Sequence, residues 1–250
     1  MKTSFADTVI LIPTYNNAGT LADVVERAIR QELPVLVVDD GSTDGTKAVL
    51  EDLQARFGPR LQVLHNPVNR GKGRALKSGF QEALKAGYSY ALTLDSDGQH
   101  YPEDAQKLLA RKGDRTLVVG SRSIRGKDGG SSFANRFSNF WFRLYTWIPL
   151  PDTQTGYRLY PLRNLPSLRL LSARYEAELT LLVFSAWKGL ELVPVPVQVL
   201  YPEDRVSHFH PAKDFTRISL LNTLLLFVAL FYGYPRMLFR KFVHLFRKNL

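Results

Sequence analysis

Three times in the first part of the chain a short apolar run stops abruptly at polar, mostly acidic residues. That recurrence constrains the fold more than any other feature of the sequence. Val9–Ile12 ends in Pro13-Thr14-Tyr15-Asn16, Val35–Val38 in Asp39-Asp40-Gly41-Ser42, and Ala91–Leu94 in Asp95-Ser96-Asp97. Runs this short and rich in β-branched residues read as strands. The strand candidates are Thr8–Ile12, Val35–Asp39, Leu61–His65 and Tyr90–Asp95, with Leu117–Gly120 further on. Between the first four, Leu21–Gln31, Thr46–Phe57 and Gly73–Gly87 carry apolar residues at helical spacing. Strand alternating with helix predicts βαβ units and a mostly parallel sheet flanked by helices. Ligands of such sheets bind beyond the carboxyl ends of the strands, so the three polar ends should converge on one crevice.

Each polar end carries its own chemistry. Asp95 and Asp97 lie one residue apart directly after an apolar run, where paired carboxylates are costly without a counter-charge. A divalent cation supplies it: Mg²⁺ or Mn²⁺ takes oxygen ligands, commonly one or two carboxylates with substrate phosphates. Such a cation would neutralise charge building on a departing nucleoside diphosphate. An Asp-rich turn without a ligand is the plainer reading of the same residues. Asp39 and Asp40 end an apolar strand, where they and Ser42 can accept hydrogen bonds from base or ribose donors; the Asp44 or Thr46 region suits the cap of the next helix. In Asn66–Ala75, Arg70, Lys72 and Arg74 surround Gly71 and Gly73 ahead of a predicted helix, an arrangement suited to phosphate. The spacing is not that of a Walker loop, and a solvated basic turn also accounts for it.

The formal charge of +10 favours an anionic partner, whether phosphorylated substrate, acidic lipid or nucleic acid. Nucleic acid is set aside, because cations interleave most densely with aromatics in the C-terminal tail, which fits lipid equally well. Without cysteine, any metal must be held by oxygen or histidine. Length and composition suit one globular domain, residues 1–215, followed by a tail, residues 216–250. In the tail, Ile218–Tyr234 is the longest apolar stretch, slightly short of the ~20 residues of a spanning helix. Arg236, Arg240, Lys241, Arg247 and Lys248 then interleave with Phe239, Phe242, Val243 and Phe246. A single crossing would place this basic segment opposite a cytoplasmic catalytic domain, against the positive-inside rule. An in-plane or re-entrant anchor is therefore preferred, with a buried terminal helix as the remaining reading. Phe133, Phe137, Phe140, Trp141, Leu144, Trp147 and Ile148 form an aromatic stripe at helical spacing, suited to a core or to a membrane interface. The N-terminus lacks the features of a secretory signal. Together these features predict a peripheral or monotopic protein on the cytoplasmic face of a membrane.

The three acidic and basic elements, in this order and preceded by Pro13-Thr14-Tyr15-Asn16, resemble family 2 glycosyltransferases of the GT-A fold. The resemblance is closest to the dolichol-phosphate mannose synthase and polyprenyl-phosphate glycosyltransferase branch, and it spans about residues 7–210. Gly120-Ser121-Arg122 and Asp152-Thr153-Gln154-Thr155-Gly156-Tyr157-Arg158 add to it. The resemblance implies a GT-A, Rossmann-like α/β fold with membrane-associated C-terminal helices. It also implies inverting transfer from a UDP- or GDP-sugar to a lipid phosphate, assisted by Mg²⁺ or Mn²⁺. Pro13, Tyr15, Asn16, Asp39 and Asp40 would line the nucleoside pocket, and Asp95, Asp97 and Gln99 would arrange metal and diphosphate with Ser96 and Lys72. Arg122 and Arg136 would face the acceptor phosphate, and Arg205 and Lys213 would close over the site. The last loop here reads Asp204-Arg205-Val206-Ser207-His208-Phe209-His210-Pro211 in place of the branch's Arg-x-x-Gly-x-Ser-Lys-like run, which leaves the acceptor open. Asp152 is the candidate base for a hydroxyl acceptor, whereas a phosphate acceptor is already an anion. The rival readings are a transferase acting on another hydroxyl in glycolipid or polysaccharide synthesis, a nucleotidyltransferase, and a non-catalytic basic scaffold. A homo-oligomer is compatible with all of them.

Overall fold

The computed structural model describes residues 5–122, 133–168, 176–200 and 221–248. The first half comprises β1 (Thr8–Thr14), α1 (Ala18–Ile29), β2 (Val35–Asp39), α2 (Thr46–Phe57), β3 (Leu61–His65), α3 (Lys72–Lys85) and β4 (Tyr90–Thr93). The second comprises α4 (Ala105–Leu109), β5 (Thr116–Arg122), α5 (Phe133–Thr146), β6 (Arg158–Pro161), α6 (Glu176–Lys188) and β7 (Glu191–Val197). A final helix, α7, occupies 221–248.

One sheet holds the strands in the order β3-β2-β1-β4-β6-β5-β7. Only β6 runs against the rest, wedged between β4 and β5; the other pairings are parallel. The chain steps outward from β1 to β2 and β3, then returns to β4 on the other side of β1. Such a reversal opens a crevice at the strand ends, because α1, which leaves β1, and α3, which leads into β4, cover opposite faces.

Both faces of the sheet are covered. Val9, Leu11, Leu36 and Val38 pack under α3, α5 and α6, while Ile10, Ile12, Val35 and Val37 pack under α1, α2 and α4. Alternate residues point to opposite faces, and both faces are dry, so these strands read as unbroken apolar runs. The expected strands and helices are present: Val35–Asp39, Thr46–Phe57 and Leu61–His65 have the expected bounds, and the others have shifted ends. β4 stops at Thr93 rather than Asp95, although Leu94 N still donates to Leu11 O at 3.0 Å before the chain turns away. β6 and β7 were not read as strands. Pro194 and Pro196 interrupt β7, which is tolerable because it pairs only with β5 and forms the edge of the sheet.

The expected aromatic stripe lies on and just beyond helix α5, but the residues α5 buries in the core, Phe142 and Tyr145, fall between its positions, whereas Phe140, Leu144 and Trp147 of the stripe are exposed. The apolar and basic parts of the tail form one helix, α7, interrupted by a π turn at Ala229–Gly233. Asn222, Leu225, Ala229, Gly233 and Met237 make its buried stripe. Steps of four residues drift around an ordinary helix with 3.6 residues per turn, and the wider π turn takes up that drift. The stripe is locked down by polar contacts. Tyr145 Oη donates to the Asn222 carbonyl at 2.9 Å, and Tyr234 Oη to the Leu144 carbonyl at 2.7 Å. Arg236 Nε reaches the Trp187 carbonyl at the end of α6 at 3.2 Å.

Candidate active site

The crevice lies beyond the carboxyl ends of β1, β2 and β4. Its loops are tied to one another through side chains. From the loop after β1, Asn17 Nδ2 donates to Ser96 Oγ and Thr20 Oγ1 to the Ser96 carbonyl, both at 2.7 Å. Asn16 N donates to Ser42 Oγ at 3.0 Å, and Thr43 N to Asn16 Oδ1 at 2.8 Å. Asp44 accepts from Thr46 N at 2.9 Å and from Ala18 N at 3.2 Å, so one carboxylate closes the first turns of α2 and α1 together. Burial works to raise the Asp44 carboxyl, but the bonds it accepts outweigh that and hold it below the usual carboxylate value. Pro13 is buried at the end of β1, and Tyr15 beside it stands exposed.

Asp39 and Asp40 are both buried but are used differently. Asp39 accepts from Ser42 N and faces His65 Nδ1, each at 3.0 Å. Asp40 accepts from Asn66 Nδ2 at 2.8 Å, Arg70 N at 3.0 Å and Gly71 N at 2.6 Å. The main-chain donors of Arg70 and Gly71, expected to suit a phosphate, are therefore engaged by Asp40. Gly41 makes this closeness possible: its φ is +75°, and a Cβ there would stand 2.5 Å from the Val68 carbonyl carbon.

What the glycine-rich segment offers the crevice is the Lys72 side chain. Lys72 Nζ bridges Asp95 Oδ1 at 2.6 Å and Glu178 Oε2 at 2.9 Å. Desolvation opposes the charge on Lys72 and on Asp95, but their attraction prevails, raising the lysine and lowering the carboxyl. Asp95 also rests against the bare Cα of Gly156, where any Cβ would overlap its carboxylate. Thr93 Oγ1 fixes that floor by donating to the Gly156 carbonyl at 2.7 Å. Asp97 points outward and accepts from Gln99 N at 3.0 Å. Partial desolvation, then the charge of Asp95, pushes its carboxyl above the ordinary value. His100 is buried; its Nδ1 lies 4.0 Å from Asp95 Oδ2 and lacks a hydrogen bond, while its Nε2 meets Thr155 Oγ1 at 3.4 Å. Desolvation depresses its imidazole, which is neutral at pH 7.

Asp95 Oδ2 and Asp97 Oδ2 accept no hydrogen bond among the described residues. No group of three or more carboxylate, imidazole or thiol ligands occurs among those residues. Two carboxylates with free oxygens suit a hard divalent cation that completes its shell with a diphosphate, and do not suit an all-protein cage.

Asp152 and Arg122, assigned separate roles from sequence, form one unit. Asp152 Oδ2 takes Arg122 Nε at 2.6 Å and Oδ1 takes Nη2 at 2.9 Å, a two-pronged clamp on a carboxylate that also accepts from Gln154 N at 3.1 Å. Both carboxylate oxygens of Asp152 are thus engaged. Arg136 is exposed on the first turns of α5. Two and three residues further on, Ser138 Oγ meets Thr153 Oγ1 at 2.8 Å and Asn139 Nδ2 donates to the Pro151 carbonyl at 2.7 Å, so the same helix grips the Asp152 loop. Arg205, Lys213, His208 and His210 lie outside the described residues. Sequence reasoning gave Arg158 no role, yet it is fully buried and donates to the Thr153 and Glu178 carbonyls at 2.9 Å, joining loop to helix. A charged residue inside an otherwise apolar strand was the available signal.

A doubly covered α/β sheet with paired carboxylates at its switch point defines the protein as a glycosyltransferase of the GT-A type. More particularly, the family described as Glycosyl transferase family 2 matches residues 9–163, and the chain belongs to it. It is 31% identical over 211 residues to the polyprenol monophosphomannose synthase of Mycolicibacterium smegmatis, covering 80% of each chain. It is 33% identical over 198 residues to the undecaprenyl-phosphate mannosyltransferase of Micrococcus luteus, covering 75% of this chain and 81% of that one. In structure it is similar to glucosyl-3-phosphoglycerate synthase from Mycobacterium tuberculosis in complex with Mn²⁺ and UDP. The TM-score is 0.61 at 19% identity, over 89% of this chain and 79% of that one. A mannosyltransferase from Pyrobaculum calidifontis in complex with GDP-Man and Mn²⁺ aligns with a TM-score of 0.55 at 21% identity, over 81% of this chain and 59% of that one.

Proposed function

We propose that the protein transfers a sugar, with inversion, from a UDP- or GDP-sugar to a polyprenyl-phosphate lipid at a membrane surface. The observation that carries this reading is the Arg122–Asp152 clamp: the crevice that holds Asp95 and Asp97 also holds a cation oriented by a buried carboxylate. An acceptor phosphate needs such a cation and needs no base, because it is already an anion at pH 7. The two named relatives, whose names specify polyprenol and undecaprenyl phosphate, support the same acceptor.

In this reading Pro13, Tyr15, Asn16 and Asp39 receive the nucleoside, and Lys72 the diphosphate. Asp95, Asp97 and Gln99 would hold Mg²⁺ or Mn²⁺, which when bound stabilises the charge of the leaving diphosphate. Arg122 and Arg136 receive the acceptor phosphate and aim one of its oxygens at the anomeric carbon opposite the leaving group. Inversion follows from that single displacement.

An apolar face would keep the crevice at the lipid. Phe231 is 82% exposed on α7, and Phe227, Phe239, Phe242 and Phe246 are also exposed, as are Phe140 of α5 and Trp147 just after it. Leu221–Val243 is long and apolar enough, by length and composition, to cross a bilayer. It also contains Arg236, Arg240 and Lys241, each costing up to about 3 kcal/mol deep in hydrocarbon. Its inner stripe is committed to α5 and α6. A helix lying in the interface, apolar side down, satisfies both constraints.

The test combines purified protein, polyprenyl phosphate in vesicles, Mn²⁺ and a panel of labelled UDP- and GDP-sugars. The expected result is label in an organic-extractable product, lost in Asp97→Ala. Donor binding without lipid labelling would move the acceptor elsewhere, and failure to bind any donor would refute the site.

A further inference from the structure

Lys72 is placed where a substrate-binding cation is least free to act. It stands 2.6 Å from Asp95 Oδ1 and 2.9 Å from Glu178 Oε2, with little solvent access. Three other features restrict this trio. Gly156 blocks Asp95 from behind, so the carboxylate cannot retreat from whatever occupies the crevice. Glu178 Oε1 is buried and lacks a hydrogen bond, so Glu178 has spare accepting capacity. Arg158, which holds the Glu178 main chain, is itself fully buried and fixed.

We infer that Lys72 is an internal counter-ion that covers Asp95 against a bare divalent cation, and that Glu178 is the second anchor drawing it away. A cation arriving alone must compete with an ammonium already paired to Asp95. A cation arriving with a diphosphate brings phosphate oxygens that accept the displaced Lys72 Nζ in place of Asp95. The crevice thereby selects the cation–diphosphate pair over either component. Glu178 acts through Lys72 and touches no substrate; it is a positioning residue. This inference rests on the donor-site reading above and adds to it an order of binding.

The experiment is a Mn²⁺ titration of the full chain by electron paramagnetic resonance, with and without UDP or GDP, on Lys72→Met, Glu178→Gln and the double variant. Lys72→Met should bind Mn²⁺ alone at least about tenfold more tightly, since no ammonium then competes for Asp95. It should lose the gain in affinity that nucleotide confers on the wild type. Glu178→Gln, which leaves Lys72 on Asp95 alone, should weaken bare Mn²⁺ binding several-fold. In the Lys72→Met background the same substitution should change nothing, because a residue acting through another has no effect once that other is gone.

Additive effects in the double variant would reduce Glu178 to a distant charge and overturn the inference. So would unchanged Mn²⁺ affinity in both single variants, provided that the wild type binds Mn²⁺ and Asp97→Ala does not. If the wild type itself binds neither Mn²⁺ nor nucleotide, the donor-site reading fails and the inference falls with it. Circular dichroism melting separates these outcomes from unfolding, and Lys72→Arg, which keeps the charge, should restore weak binding of the bare cation.

Discussion

Substituting Asp152 by Asn separates two roles that predict opposite behaviour. Asn keeps the shape of the side chain but replaces one accepting oxygen with a donor and removes the charge facing Arg122. Of the clamp at 2.6 and 2.9 Å, one charge-assisted bond is lost, worth about 2–3 kcal/mol. If Asp152 only orients Arg122, lipid-phosphate transfer should fall about 30- to 150-fold. The loss should appear mainly as weaker acceptor binding, with no change in the shape of the pH profile. Arg122→Ala should do at least as much damage, and adding Asp152→Asn to it should cost almost nothing more. The assay is initial rate against polyprenyl phosphate at saturating donor, over a range of pH. Loss of about ten-thousandfold or more with normal acceptor affinity, or a full additional penalty in the double variant, would refute the reasoning and return Asp152 to the role of base.

Gly156→Ala should cost more activity than stability: its Cβ overlaps Asp95, so Mn²⁺–nucleotide affinity should drop at least about tenfold while most of the protein remains folded, as isothermal calorimetry and melting would show. Asp97→Asn should abolish transfer yet slightly raise the melting temperature near pH 7. The sign follows from its raised carboxyl: the fold favours the protonated form, the penalty appears as pH rises past the ordinary carboxylate range, and Asn removes it. Asp44→Ala should destabilise by about 1 kcal/mol near pH 7 through loss of its caps on α1 and α2. Because the folded Asp44 carboxyl is lowered, that contribution should fade in the wild type as pH falls through the acid range. Replacing the outward Phe231 and Phe242 by Ser should abolish sedimentation with lipid vesicles without lowering the melting temperature, since both rings are exposed and pack on nothing in the core.

Much of the first half of the fold was legible because β1, β2 and β4 are buried on both sides and end in abrupt polarity. Val35–Asp39 and Leu61–His65 fall where periodicity puts them. The second half resisted the same reading. β6 begins with a buried arginine, and β7 carries prolines that a central strand would not tolerate. At the site, residue types identified the carboxylates but not their partners. Nothing in the local sequence distinguishes Asp39, next to a histidine, from Asp40, which holds a distant loop. The pairing of Asp152 with Arg122 spans 30 positions, and the contact of Glu178 with Lys72 joins two helices. Such contacts belong to tertiary packing, which spacing along a chain does not encode locally.

The segment from Asp152 to Gly156 orients Arg122 with its first residue and forms the floor beneath Asp95 with its last. If Arg122 receives the acceptor and Asp95 the donor, as proposed, the backbone of this segment acts as a ruler between the two ends of the reaction. Side chains decide what binds at each end, but main-chain length decides how far apart the bound groups lie. Adding a single residue between Thr153 and Thr155 would leave every ligand-facing group in the protein and still misalign attack with departure. Within such a fold, a change of acceptor is expected to come with a change in the length of this segment.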